Sequence, residues 1–203
     1  QNPILQKPLS LRKALSTPAR TTVSGRPVVH LSLMINHAMG GLDVWGYHVA
    51  NIAIHLLVAL LLYGIVWRTL MSERLRADYS SMAQWLSLSV AMIWVVHPLH
   101  TQCVTYIIHR TESLTALCCL LTLYAVIRSA QTSDPTTWRL LAILSCGLGM
   151  GSKETMATAP LIILLYDRVF LAASWKDLLR KRWSLYLGLA ASWLVLLTLL
   201  MGG

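Results

Sequence analysis

The sequence predicts an all-α, polytopic membrane helix bundle with about six spans visible, preceded by a polar N-terminal extramembrane segment that carries an amphipathic helix. Three observations lead there. Hydrophobic residues fill 56% and charged residues only 12% of 203 positions, with mean hydropathy +0.59, against roughly 45–50% apolar and about 25% charged in soluble domains. Long apolar runs recur between short polar or basic loops. Aromatic usage is tilted toward Trp (8) and Tyr (7) with a single Phe, which suits interfacial belts where an amphipathic ring sits at headgroup level.

Residues 1–45 are the most polar part, with Pro3, Pro8, Pro18 and Pro27, basic residues at 7, 12, 13, 20 and 26, and a turn-like stretch from Thr21 to Gly25. This is the extramembrane unit, and residues 46–203 form the transmembrane bundle. The run Pro27 to Met39 places Val28, Leu31, Met34, Ile35 and Ala38 on one helical stripe, with Pro27 in the first turn and Gly40-Gly41 as a stop. That pattern predicts a surface-lying amphipathic helix. The first stretch has neither a basic n-region nor an apolar h-region, so no signal peptide is visible, and further sequence is expected upstream of Gln1.

The first span is expected at about 46–67, where Trp45 and Tyr47 open an apolar run that closes at Trp67 and approaches the roughly 20 residues needed to cross. A basic loop with Arg68, Arg74 and Arg76 leads to a second span at 82–96, ended by His97-Pro98. A third helix at 102–128 has polar first turns and an apolar remainder. After the break at Asp134-Pro135, short spans at 138–150 and 157–171 flank Ser152-Lys153-Glu154-Thr155, and a last span covers 183–201.

Charge bias orients the bundle. One set of loops and span ends holds Arg68, Arg74, Arg76, Arg128, Arg139, Arg168, Lys176, Arg180, Lys181 and Arg182, whereas the opposite short loops hold only Arg110 and Lys153. By the positive-inside rule the basic face is cytoplasmic. The polar N-terminal segment, His97 to Glu112 and Ser152 to Thr155 then share the non-cytoplasmic face. The formal charge of +9 does not indicate nucleic acid, because the cations lie between apolar runs and form no stripe with interleaved aromatics. Cys103, Cys118, Cys119 and Cys146 lie in or beside apolar segments without a CxxC pair, and read as small buried hydrophobes.

Ionisable groups at a membrane face are functional candidates, and two clusters qualify. In the first, His97-Pro98-Leu99-His100-Thr101-Gln102 is followed by His109-Arg110-Thr111-Glu112. Arg110 and Glu112 are expected to project in different directions. Arg110 admits two readings: its planar fork suits a phosphate, or it snorkels to lipid headgroups. His97 and His100, three apart, either cap the loop or face the same phosphate; two imidazoles without a third ligand make no metal site, and no metal or other cofactor is expected. In the second cluster, Lys153 either pairs with Glu154 to fasten a turn or compensates a lipid-linked phosphate. His48 and His55, seven apart on one helix face with Asn51 between them, either make interhelical hydrogen bonds or ligate a tetrapyrrole.

The motifs Gly25-Arg26-Pro27, Gly46-Tyr47-His48 with Asn51 and His55, His97-Pro98-Leu99-His100-Thr101, Arg110-Thr111-Glu112-Ser113-Leu114, and Gly151-Ser152-Lys153-Glu154 leading to Leu164-Leu165-Tyr166-Asp167 resemble, in order and spacing from about Asn2 to Asp167, the membrane half of the transmembrane and tetratricopeptide-repeat (TMTC) proteins and their bacterial relatives. The resemblance implies a GT-C-like fold in a bacterial inner membrane or an ER-type membrane. It also implies transfer of a sugar, typically mannose, from a polyprenyl-phosphate carrier to a protein hydroxyl on the periplasmic or lumenal face. The implied partners are membrane lipid, a polyprenyl-phosphate sugar and an acceptor protein. In such a mechanism an acidic side chain deprotonates the acceptor while cations stabilise the departing phosphate. Arg110, Lys153 and Arg26 fit the phosphate role, and His97, His100, Glu112 and Glu154 would shape the site.

Two departures from the family pattern bear on catalysis. The acid that relatives carry before an Asn-Pro like Asn2-Pro3 is expected upstream of Gln1, and Gln102 stands where relatives often have Glu. No helical repeat of 34-residue period follows the last span. The alternative to a glycosyltransferase is a non-catalytic membrane subunit of a larger, energy-converting complex with other membrane subunits, contacting a pigment or haem through His48 or His55.

Overall fold

The computed structural model describes residues 25–202. Residues 1–24 of the polar segment, with Asn2-Pro3, lie outside them. All regular structure among the described residues is helical. Helix α1 (Pro27–Gly40) starts on Pro27, whose fixed φ is preset for a first turn, and ends at Gly41. Helix α2 (Val44–Leu70) is capped by Asp43, whose carboxylate accepts from Trp45 N. A basic turn holding the short α3 (Arg76–Tyr79) leads to α4 (Ala83–Val96). There His97, extended as a residue before proline prefers, stops the helix.

The third expected helix is broken. A 3₁₀ turn (Pro98–His100) and the short α5 (Thr101–Thr105) precede an extended Tyr106 and a second 3₁₀ turn (Ile107–His109), and only then does α6 (Arg110–Gln131) begin. The break frees the Val104 carbonyl, which is met by His48 Nδ1 at 3.3 Å and Asn51 Nδ2 at 3.4 Å on α2. Helix α7 (Thr136–Met150), a 3₁₀ turn (Glu154–Thr158), α8 (Ala159–Tyr166) and a π turn (Asp167–Leu171) follow. The last helix, α9 (Trp175–Gly202), is interrupted by non-helical backbone at Arg182.

Three helices, Val44–Leu70, Ile107–Gln131 with its leading 3₁₀ turn, and Trp175–Met201, are long and apolar enough to cross a membrane. Helices α4 and α7, with 14 and 15 residues, reach only about 21–23 Å, short of the roughly 30 Å hydrocarbon core. The six expected spans therefore correspond to three full-length helices and three shorter ones. Outward faces are apolar, as in Trp85, Met92 and Ile93 of α4 and Leu187, Leu194 and Leu200 of α9. This is an all-α membrane helix bundle.

Because lipid is as apolar as leucine, helices in a bundle associate through close packing and polar contacts. On α4 the buried residues are Ala83, Ser87 and Ala91, a small residue every fourth position, and α2 lies against them. Close approach recurs elsewhere: a Cβ at Gly64 would collide with Tyr124, and one at Gly188 with Ile143. The central cluster, including Cys118, Ala125, Val126, Ala142, Cys146, Met150 and Leu189, joins α6, α7 and α9. Thr122 and Ser145 share a 2.9 Å hydrogen bond across α6 and α7. Cys118 and Cys146 are buried, while Cys103 and Cys119 are partly so.

Helix α1 packs on the bundle through a different face from the Val28, Leu31, Met34, Ile35 and Ala38 stripe. It buries Pro27, Val29, His30 and Met34 against α2 and α6 and leaves Ile35 and Ala38 exposed. Its Asn36 side chain and Ser32 carbonyl serve a guanidinium that needs acceptors.

Candidate functional site

That guanidinium is Arg110, at the first turn of α6 and only 1% exposed. Its Nε donates to Asn51 Oδ1 at 2.8 Å, Nη1 to Asn36 Oδ1 at 2.6 Å and to the Ser32 carbonyl at 3.4 Å, and Nη2 to the Tyr47 carbonyl at 3.0 Å. The Tyr47 ring lies 5.6 Å from its carbon centre. Four of the five N–H groups an arginine carries are thus taken by protein oxygens from α1 and α2. This corrects two expectations at once: Arg110 neither snorkels to headgroups nor presents its fork to a phosphate. It ties three helices together.

The cations with open surface are elsewhere. Lys153 Nζ donates to Glu112 Oε1 at 2.5 Å, with the side chains 24% and 46% exposed, and Arg26 Nη2 stands 3.8 Å from Glu154 Oε2. The turn pair between Lys153 and its neighbour Glu154 is not formed. Each of the two reaches across the bundle instead, because Lys153 is extended (φ −160°, ψ 146°) and sends successive side chains to opposite sides. Glu112 points away from Arg110 toward Lys153, as two residues on a helix diverge by about 200°.

Gly25-Arg26-Pro27 and Gly151-Ser152-Lys153-Glu154 are brought together by the backbone. Val28 N donates to the Gly151 carbonyl at 3.2 Å. A Cβ on Gly151 would lie 2.8 Å from Val28 Cγ2, so this approach needs glycine. Gly25 takes φ +72°, a region that costs other residues energy. The result is an electroneutral cluster of Arg26, Glu154, Lys153 and Glu112.

Two cavities flank Glu112. One of about 220 Å³ is lined by His55, Trp94, His100, Cys103, Glu112 and Ser113, among others; the other, of about 260 Å³, includes Glu112, Thr115, Thr155 and Thr158. Ser113 Oγ is buried without a hydrogen-bond partner, a polar atom on the wall of the first cavity. Trp94 stacks on His55 with centroids 4.5 Å apart and lies 4.3 Å from His100, and His97 is 5.9 Å from His100. His97 Nδ1 also accepts from Leu99 N at 3.3 Å, which makes it a cap. His48 and His55 bond interhelically, His55 Nε2 lying 3.1 Å from the Val95 carbonyl. Among the described residues no group of three or more His, Cys, Asp or Glu is arranged to hold a metal ion.

Burial, and after it the neighbouring His55 and His97 rings, holds the His100 imidazole below its ordinary value. A lowered value means that the folded protein resists protonation, so stability falls as pH drops through the unfolded value of about 6.5. We expect the wild-type melting temperature to decline more between neutral and mildly acidic pH than that of His100→Gln. Parallel melting curves for the two proteins would overturn this.

Residues 24–201 match the family model described as dolichyl-phosphate-mannose-protein mannosyltransferase. The chain belongs to this family. It is 31% identical over 177 residues to the protein O-mannosyl-transferase TMTC2 of Mus musculus, which covers 82% of this chain and 20% of that protein. It is 30% identical over 158 residues to TMTC4 of Homo sapiens (71% and 21%) and 29% identical over 150 residues to Tmtc2 of Drosophila melanogaster (71% and 15%). The chain therefore spans about a fifth or less of the length of these curated relatives. No solved structure matches it. With its apolar helices, this is a TMTC-type, GT-C-type integral membrane domain.

Asn51 and Ser113 stand in sequence motifs that give them no role of their own, and Asn36 and Trp94 stand outside those motifs. Asn36 interrupts the apolar run of α1, a legible signal once a buried arginine is known to need acceptors. Asp167 was quoted only as part of a motif, yet it is fully buried and holds Arg182.

Proposed function

We propose that this domain forms the phosphate-binding side of a membrane glycosyltransferase, which moves a sugar, mannose in the named relatives, from a polyprenyl-phosphate to a protein hydroxyl on the non-cytoplasmic face. The observation that carries the reading is Glu112, which lines two cavities at one end of the bundle and holds Lys153, with Arg26 drawn to the neighbouring Glu154. In the transfer, the acceptor oxygen attacks the anomeric carbon, the bond from that carbon to the phosphate oxygen breaks, and an acidic side chain acting as general base takes the hydroxyl proton. Charge grows on the leaving phosphate. Lys153 uses one of its three N–H donors on Glu112 and has two left; Arg26 is loosely paired, at 3.8 Å. Both can turn to a phosphate without unfolding anything. Glu112 and Glu154 hold these cations in place until the donor arrives, and His97 and His100 border the site. Arg110 acts as a positioning residue, since it fastens the helix that begins one residue after Arg26.

The test is turnover of candidate polyprenyl-phosphate sugars with an acceptor peptide by the full-length protein. Lys153→Ala is expected to lower kcat/KM about tenfold to hundredfold, less than the roughly hundredfold to thousandfold for a fully preorganised donor because Lys153 is partly solvated, with an unchanged melting temperature. If the wild-type protein neither binds nor turns over any such donor, the reading is abandoned. A visible absorption band of bound haem or pigment would favour the subunit alternative.

A further inference from the structure

The opposite end of the bundle carries a further, larger cavity that the transfer reaction does not use. It measures about 780 Å³ and lies between the end of α2, the end of α6, the turn after α8 and the basic start of α9; its polar wall includes Ser72, Glu73, Arg74, Gln131, Asp177, Lys181 and Arg182. α6 alone, 22 residues long, separates this cavity from Arg110 by about 33 Å.

Most of the charged groups there are committed. Arg182 is held by Asp167, Lys181 Nζ lies 3.0 Å from Asp177 Oδ1, and Arg68 Nη1 takes Gln131 Oε1 at 2.7 Å. Two groups are not. Arg74 makes one hydrogen bond, to the Ala172 carbonyl at 3.2 Å, and no carboxylate lies within ion-pair distance of it among the described residues. Ser72, 8% exposed, has a buried hydroxyl without a hydrogen-bond partner. An unsatisfied buried hydroxyl is costly, and such a group in a native structure calls for a ligand or a water.

The surrounding field favours an anion. This end carries ten Lys and Arg side chains, from Arg68 to Arg182, against Glu73, Asp78, Asp134, Asp167 and Asp177, whereas the cations and carboxylates described at the other end balance. Basic pockets between transmembrane helices bind anionic headgroups in this way, and the arginine fork suits a phosphate.

We propose that this cavity binds a phosphate ester of net negative charge, unlike the zwitterionic phosphatidylcholine headgroup, with Arg74 and the Ser72 hydroxyl donating to its oxygens. The source of the ester is either an anionic phospholipid headgroup or a soluble phosphate ester. The intact protein in nanodiscs of phosphatidylcholine, with and without phosphatidylglycerol, tests it, with retained lipid read by native mass spectrometry and glycerol 3-phosphate added to the phosphatidylcholine-only discs as the soluble arm. One of the two phosphate esters is expected to bind. Its affinity should fall about tenfold in Arg74→Gln, as for loss of a charge-assisted contact, and fall also in Ser72→Ala. Arg76→Gln, which removes the same charge from the same face outside the cavity, should change it little. Failure of both esters to bind overturns the proposal, and so does an equal loss in Arg76→Gln, which would mean surface potential alone.

Discussion

Arg110→Ala is expected to destabilise the domain by about 3–5 kcal/mol, since hydrogen bonds to a charged group contribute about 1.5–3 kcal/mol each and do not add fully. The truncation leaves Asn36 Oδ1, Asn51 Oδ1 and the Ser32 and Tyr47 carbonyls without their donor, at a site closed to water. Arg110→Lys keeps the charge but loses the fork, so it should lie between wild type and alanine. Melting temperature and the folded fraction on size exclusion measure both. A double-mutant cycle of Arg110 with Asn36 or Asn51 should show coupling of about 1–3 kcal/mol. A role as direct phosphate ligand predicts the opposite pattern, with donor affinity lost and stability unchanged; that outcome would remove Arg110 from its place as the tie between α1, α2 and α6.

The same residue shows how far the sequence could be read. An arginine between two apolar runs is plainly exceptional, and spacing places it at a helix start beside the polar face. Whether it faces a ligand or the protein depends on acceptors far away in the chain, 59 residues back at Asn51 and 74 back at Asn36. Local pattern carries no record of such pairing. Helix ends set by local chemistry were legible: Asp134-Pro135 precedes α7, His97-Pro98 ends α4, and Gly40-Gly41 closes α1. The break at Tyr106 was not, because its gain is tertiary, in the Val104 carbonyl handed to His48 and Asn51. Likewise the partners of Lys153 and Arg26 are chosen by the contact of Val28 with Gly151, which joins segments more than a hundred residues apart.

The two ends of the bundle also differ in how they hold charge, and this difference has a physical basis. Near Glu112 the ion pairs are partly exposed, so water screens them and each contributes little to stability, about 0–1 kcal/mol. They can be exchanged for a ligand at small cost. At the other end the Asp167 carboxylate is fully buried, and an exchange there would strip a charge of all compensation. A domain that binds a charged donor needs the first kind of pair at its site and the second kind in its frame.

Arg182→Ala is therefore expected to cost about 3–5 kcal/mol, the range for breaking a buried ion pair from one side. The Asp167 side chain is 0% exposed while that of Arg182 is 13% exposed. Losing the arginine thus leaves a carboxylate with no access to water, supported among the described residues by the Tyr186 hydroxyl, which donates to Oδ2 at 2.7 Å. Asp167→Asn should cost less, about 2–3 kcal/mol, because the stranded guanidinium keeps some solvent and the amide can still accept. Replacing both partners by apolar residues of similar volume, as in Asp167→Leu with Arg182→Met, should recover most of the loss, since desolvation of the pair offsets most of its attraction. Unfolding of the three variants in detergent micelles measures the order: Arg182→Ala least stable, then Asp167→Asn, then the double replacement. The pair also sits where the backbone of α9 turns out of helical geometry at Arg182. If the double replacement remained as unstable as Arg182→Ala, the kink rather than the charge pair would be what the arginine supplies.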